Sequence, residues 1–161
     1  MFKKILIATL IFSSCTFESP TEFSDLALND RFVSTQNKEV QLKNIINKHK
    51  GKKLLINVWA SWCKDCVLGF PNLKAFQKKH PNVEYVFISI DRNLRQWKNA
   101  IKKYNLEGEH YYMDGGMDSE FGNFLNSNWI PRYMVVNENG FLDLFKAKKI
   151  TDSRIVEALK K

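Results

Sequence analysis

Cysteine is scarce in this chain of 161 residues: three copies, too few for a small scaffold stapled by several disulfides. Glycine and proline are scarce too, at seven and four, and no tract is of low complexity, which excludes collagen-like and linker-like polypeptides. No internal repeat is present, so solenoids and propellers are excluded. No apolar run approaches the ~20 residues that a permanent membrane-spanning helix needs. Histidine never occurs as a pair at ligand spacing, and only one pair of cysteines lies close together, so the usual zinc frameworks are missing. Acidic residues are outnumbered, 17 against 25 basic ones, for a formal net charge of +8. The lysines come as scattered pairs (Lys52-Lys53, Lys78-Lys79, Lys102-Lys103, Lys148-Lys149, Lys160-Lys161), which reads as a solvated basic surface. A sharper reading of that charge is attraction to an anionic membrane or an acidic partner. Nucleic acid is not expected, because no recognition motif accompanies the charge. With 44% hydrophobic residues, what remains is one globular domain able to bury an ordinary core.

The stretch that carries chemistry is Trp59-Ala60-Ser61-Trp62-Cys63-Lys64-Asp65-Cys66. It follows the apolar run Leu54-Leu55-Ile56-Asn57-Val58 and precedes residues with helical spacing. The cysteines are therefore expected where a buried strand hands over to a helix. Three residues apart on a first helical turn, they share a face and come close enough for a small disulfide. Unpaired N–H groups and the positive end of the helix dipole favour a thiolate there. A thiol whose pKa is lowered in this way is nucleophilic near neutral pH. The bland alternative is a static disulfide, but a loop closed over two intervening residues constrains little chain entropy.

The N-terminus reads as an export signal: Lys3-Lys4 precede the short apolar run Ile5-Leu6-Ile7-Ala8-Thr9-Leu10-Ile11-Phe12. Ser13-Ser14-Cys15 then resembles a bacterial lipobox, in which the cysteine is lipidated and becomes the first mature residue; Phe12 departs from the more usual leucine. Lipidating Cys15 removes the odd thiol and leaves the single pair Cys63 and Cys66. The expected organisation is a lipoprotein-type signal over residues 1–14, a lipidated cysteine and tether over 15–21, and one domain over 22–161. The expected location is extracytoplasmic, on the periplasmic side of a bacterial membrane, where disulfide chemistry has substrates.

Phe23, Leu26 and Leu28 are expected as the first core contacts. Alternating runs around Gln36-Asn37-Lys38 predict a β-hairpin over 31–42. Leu42, Ile45 and Ile46 begin a short helix with His49 at its exposed end. Val67, Phe70, Leu73 and Phe76 line an amphipathic helix containing Pro71, where a kink is expected. Residues 83–91 form the next buried strand, and Leu94, Trp97, Ile101 and Tyr104 a second helix. Strand, helix, strand, helix indicates an α/β sandwich with right-handed crossovers. A short aromatic strand follows at His110-Tyr111-Tyr112-Met113, then a helix holding Phe121, Phe124 and Leu125 and capped by Asp118. Pro131 cannot donate to a sheet ladder, so it belongs at the first position of the strand it leads into. If the Ile130–Pro131 bond is cis, that turn can face the cysteines. Asn137-Glu138-Asn139-Gly140 is a hairpin turn to a strand over 141–145, and Thr151-Asp152-Ser153 caps a last helix.

Trp59-Ala60-Ser61-Trp62-Cys63-x-x-Cys66, with Ile130-Pro131 and Val135-Val136-Asn137-x-Asn139-Gly140 downstream, resembles the thioredoxin superfamily. Within it the chain is similar to exported, membrane-tethered thiol–disulfide oxidoreductases of the TlpA/ResA type, over roughly residues 22–161. The resemblance implies a thioredoxin-like α/β fold: a central mixed sheet flanked by helices, an N-terminal β-hairpin, and an inserted strand-helix segment near 106–127. It implies that Cys63 is the attacking thiolate, Cys66 the resolving thiol and Pro131 a cis-proline beside the disulfide. Ile130 would offer backbone to an extended substrate and Trp62 would form part of an apolar rim. The implied reaction is thiol–disulfide exchange on partner proteins, with no cofactor or metal and a separate electron donor. Two family carboxylates are absent: Asn57 stands where many thioredoxins have a buried Asp, and Gly69 where ResA-type relatives have Glu. The proton carrier is therefore unassigned: Asp65 is the nearest carboxylate in sequence, Glu84 and Asp91 are candidates to approach through the fold, and water is the alternative. Arg132, beside the proline, is expected to select acidic partners. The rival from another class is a copper-delivery protein on the same fold, although the Met-rich or His-bearing segment of such carriers is missing and His80 and His110 stand singly.

Overall fold

A computed structural model describes residues 19–127 and 129–161. The expected signal over 1–14, Cys15 and residues 16–18 of the tether lie outside the described residues. Seven strands form one sheet: β1 (Arg31–Ser34), β2 (Glu39–Gln41), β3 (Leu54–Trp59), β4 (Glu84–Ser89), β5 (Glu109–Tyr112), β6 (Arg132–Val136) and β7 (Leu142–Ala147), in the order β2-β1-β5-β4-β3-β6-β7. β3, β4 and β5 run parallel, and the other neighbours pair antiparallel. The sheet is therefore mixed, as expected. The N-terminal hairpin β1–β2 is its edge, joined through β5, the strand of the inserted segment.

Side-chain alternation along β3 gives two cores. Leu54, Ile56 and Val58 pack with Phe32, Ile45 and Phe121 on one face; Leu55 and Trp59 pack with Phe70, Leu73 and Trp97 on the other. Both faces being covered, β3 is buried at every position, which is why it reads as a continuous apolar run. On the first face lie α1 (Asp25–Asn29), α2 (Leu42–Lys48) and α5 (Glu120–Leu125). On the second lie α3 (Lys64–Lys79), α4 (Leu94–Tyr104) and α6 (Ser153–Leu159). α3 runs unbroken through Pro71. Among the described residues no helix is long and apolar enough to cross a membrane.

The chain enters the fold where the carbonyl of Thr21 accepts from the Leu142 N–H at 2.7 Å. Three expectations are corrected here. Leu26 is exposed and Ala27 is buried in its place, because the short α1 turns one face inward. Ser119, not Asp118, caps α5: its Oγ accepts from the Gly122 N–H at 3.1 Å. The 3-10 turn Gly116–Asp118 takes up Asp118 and leaves Ser119 in the extended conformation a cap requires. His49 is buried, not exposed. Its ring lies 3.8 Å from a Glu84 carboxylate oxygen and 3.5 Å from one of Glu109, since the first residues of β4 and β5 close over it.

Candidate functional site

β3 ends at Trp59, and a tight turn follows in which the Cys63 N–H donates to the Ala60 carbonyl at 3.1 Å. Cys63 is the N-cap of α3, and the Cys66 N–H donates to its Sγ at 3.1 Å. The two are joined as a disulfide, Cα–Cα 5.3 Å. Their exposures differ: Cys63 retains 7% and Cys66 none. Only Cys63 presents an edge to a reagent from outside.

Asp91 anchors the turn from below. Buried beyond the end of β4, it accepts from the Ser61 N–H at 2.9 Å and from the Ser61 hydroxyl, while its second oxygen accepts from Ser89 Oγ at 2.8 Å. The turn is thus tied to the neighbouring strand, and the carboxylate's acceptor sites are spent on structure. Glu84 lies at the other end of β4, opposite Leu54, and does not approach the cysteines. Of the carboxylates expected as proton carriers, Asp65 remains exposed on the first turn of α3.

Pro131 stands immediately before β6, its peptide bond with Ile130 is cis, and the Ile130 carbonyl lies 3.7 Å from Cys63 Sγ. Trp62, 54% exposed, and Trp129, 53% exposed, flank the disulfide. With Ile90, Met117 and Ile130 they line a groove of about 370 Å³ that reaches Cys63. Trp62, Ile130 and Pro131, expected from the sequence, are placed here; Trp129 and Met117, which line the same groove, were not expected. Trp129 precedes the Ile-Pro pair directly and was the available signal; Met117 comes from the inserted segment and had none.

Asn57 lies on the α3 side of β3 and is fully buried, and neither atom of its amide has a hydrogen-bond partner among the described residues. Tyr133 is its partner across β3 and β6. The Tyr133 hydroxyl would lie 3.8 Å from a Cβ added at Gly69. Burial raises the Tyr133 pKa, so that hydroxyl keeps its proton.

Arg132 corrects another expectation. It is 2% exposed, its guanidinium sits 5.4 Å from the centre of the Phe145 ring, and among the described residues Nη1 has no hydrogen-bond partner. Strand alternation sends it to the face opposite Tyr133, away from any docked partner. Burial lowers its pKa. The histidines are not gathered at the cysteines either: His80 ends α3 against Phe76, and His110 is buried on β5 against Phe87. Among the described residues no group of three or more His, Cys, Asp or Glu side chains is placed to hold a metal.

The Thioredoxin-like family model matches residues 51–142. The chain is similar to the thioredoxin-like protein YneN of Bacillus subtilis (strain 168), 24% identical over 121 residues, covering 73% of this chain and 69% of that one. It is similar to the thiol-disulfide oxidoreductase ResA of Bacillus thuringiensis subsp. konkukian (strain 97-27), 29% identical over 94 residues, covering 57% of this chain and 52% of that one. The match thus spans about half the length of that ResA. Among solved structures, its fold is like that of a thiol-disulfide oxidoreductase from Bacteroides fragilis NCTC 9343, with TM-score 0.67 at 22% identity, covering 84% of this chain and 98% of that one.

Proposed function

The chain belongs to the thioredoxin-like family, and on that premise we propose that it is a thiol–disulfide oxidoreductase that reduces disulfides of partner proteins outside the cytoplasm. The observation that carries this reading is the asymmetry of the pair: Cys63 at the edge of a groove, Cys66 wholly buried behind it. In the reducing direction the Cys63 thiolate attacks one sulfur of the partner's disulfide, and the other sulfur leaves as a thiolate. Cys66 then attacks Cys63 Sγ in the mixed disulfide, the partner departs reduced, and two electrons have passed from the pair to the partner. The N-terminus of α3 favours the Cys63 thiolate. The redox group is the cysteine pair itself, and a separate dithiol donor must restore it. Trp62, Ile130 and Pro131 form the surface against which the partner segment lies. Attachment to a membrane through lipidated Cys15 is part of the proposal, and so is a domain beginning near residue 22.

The test uses the full chain. Reduced protein is expected to reduce insulin, Cys66→Ser to accumulate a mixed disulfide with its substrate, and Cys63→Ser to fall to the uncatalysed rate. A pair that resists reduction until the protein unfolds, or a Cys63→Ser variant that keeps its rate, overturns the reading. Equilibration with glutathione and dithiothreitol fixes direction: a low potential makes it a reductant, a high one an oxidant or isomerase.

A further inference from the structure

A second groove, of about 590 Å³, lies on the other side of Trp129. Leu68, Trp129, Pro131 and Tyr133 give it an apolar lining, and Leu68, a large apolar residue on the second turn of α3, is exposed. It shares Asp65 and Trp129 as walls with the groove that reaches Cys63, so the two adjoin. Its far wall is Lys148 and Lys149, which follow directly on β7 at the disulfide end of the sheet. Lys148 Nζ stands 5.7 Å from the centre of the Trp129 ring, which holds positive charge against the groove. A further depression beyond it contains Lys146, Lys148, Lys149 and Arg154. Arg154 is held by Asp152, but among the described residues Lys146, Lys148 and Lys149 form no ion pair. One carboxylate, Asp65, sits at the shared rim, on the cysteine side.

Resting on the proposed reductase reading, we infer that this track selects partner proteins whose disulfide-bearing segment is extended, apolar next to the cysteine and acidic beyond it. The apolar part lies along Trp129 and Leu68, and the acidic side chains meet Lys146, Lys148 and Lys149. Charge selection thus falls to the lysines at the end of β7 and just beyond it, in place of the buried Arg132.

The experiment is single turnover of the full-length, fully reduced protein with disulfide-linked peptides that differ only in carrying two Glu or two Lys beyond the cysteine. Acid-quenched samples are read for the peptide thiols; Cys63 and Cys66 give up two electrons and two protons, and the peptide disulfide takes them up as two thiols. The Glu peptide is expected to react about tenfold faster than the Lys peptide at low salt, ~1.4 kcal/mol. The preference is expected to shrink as ionic strength rises towards ~0.5 M, where exposed charges are screened. The Lys148→Glu/Lys149→Glu double variant is expected to reverse the order. Equal rates for both peptides, with the small neutral bis(2-hydroxyethyl) disulfide still reduced, overturn the inference and leave the reductase reading standing. No reduction of even that small disulfide overturns the reading itself. Binding to phosphatidylglycerol vesicles that the double variant loses while its peptide preference stays as in the wild type assigns the lysines to a lipid surface and overturns the inference. If the double variant fails to fold, the peptide ratio and its salt dependence in the wild type decide alone.

Discussion

Arg132 follows the cis Ile130–Pro131 pair, whose Ile130 carbonyl lies near Cys63, yet its guanidinium lies against the Phe145 ring, and among the described residues Nη1 has no hydrogen-bond partner. Among the described residues no carboxylate pairs with it, so holding a cation there costs desolvation energy that the aromatic ring offsets in part. Arg132→Met keeps the apolar stem and removes the charge. It is expected to raise stability by ~1–3 kcal/mol, read as a higher urea midpoint at unchanged slope. A lower midpoint would show that the ring contact outweighs the desolvation. The same variant is expected to leave partner preference as it is. The residues expected at the site are brought together: Cys63, Cys66, Trp62, Ile130 and Pro131 all line or border one place. Side-chain direction was less so. Arg132 and His49 are polar residues beside exposed-looking turns, and only the strand's alternation and the closing of β4 and β5 send them inward. Asp91 was noticed as a carboxylate, but its task of tying down Ser61 depends on a contact across thirty residues of sequence.

Elements were read more securely, because period and punctuation are local properties. The alternation of β1 and β2, the apolar run of β3 and the helical spacing of α3 and α4 all stand where expected. The inserted α5 is the exception, with its cap one residue later than read. Gly122 shows why. A Cβ at that position would meet the Met117 carbonyl oxygen at 2.4 Å, so α5 can fold back against the turn before it only with glycine there. The obstacle is backbone, which a rotamer change cannot relieve. Gly122→Ala is expected to cost ~1–3 kcal/mol in stability, measured by urea unfolding. Because Met117 also walls the Cys63 groove, exchange with a peptide disulfide is expected to slow as well. An unchanged midpoint would mean that α5 shifts without cost.

For the whole molecule, strand order was beyond local reading: nothing in residues 31–34 announces that they pair with a strand nearly eighty residues later. That inserted strand also carries two titrating neighbours. Burial pushes the His110 pKa below its ordinary 6.5, although a bond to the Leu106 carbonyl opposes this. Burial would raise the Glu109 carboxyl, but hydrogen bonds from Lys48 and Tyr111, with the charges of His49 and Lys48, hold it below 4.5. Below pH 6.5 the unfolded chain protonates His110 more readily than the folded one, so stability is lost as pH falls towards the depressed folded value. The Glu109 contribution is present above about pH 4.5 and is lost as pH falls through its own lowered value. Both act in one direction, and the urea midpoint is expected to decline from pH 6.5 downward. His110→Gln should remove the first part of that decline and keep the part below pH 4.5; equal midpoints at pH 7 and pH 5 in the wild type would contradict it. Finally, the bond between Thr21 and Leu142 gives the molecule a polarity. Leu142 lies at the end of the sheet where β3 begins, and Cys63 lies past the end where β3 stops, a strand length of ~20 Å away. Anything that grips the protein ahead of residue 19 holds it by the foot. The reactive sulfur and the lysine track then stand at the head, turned outward to meet what diffuses past.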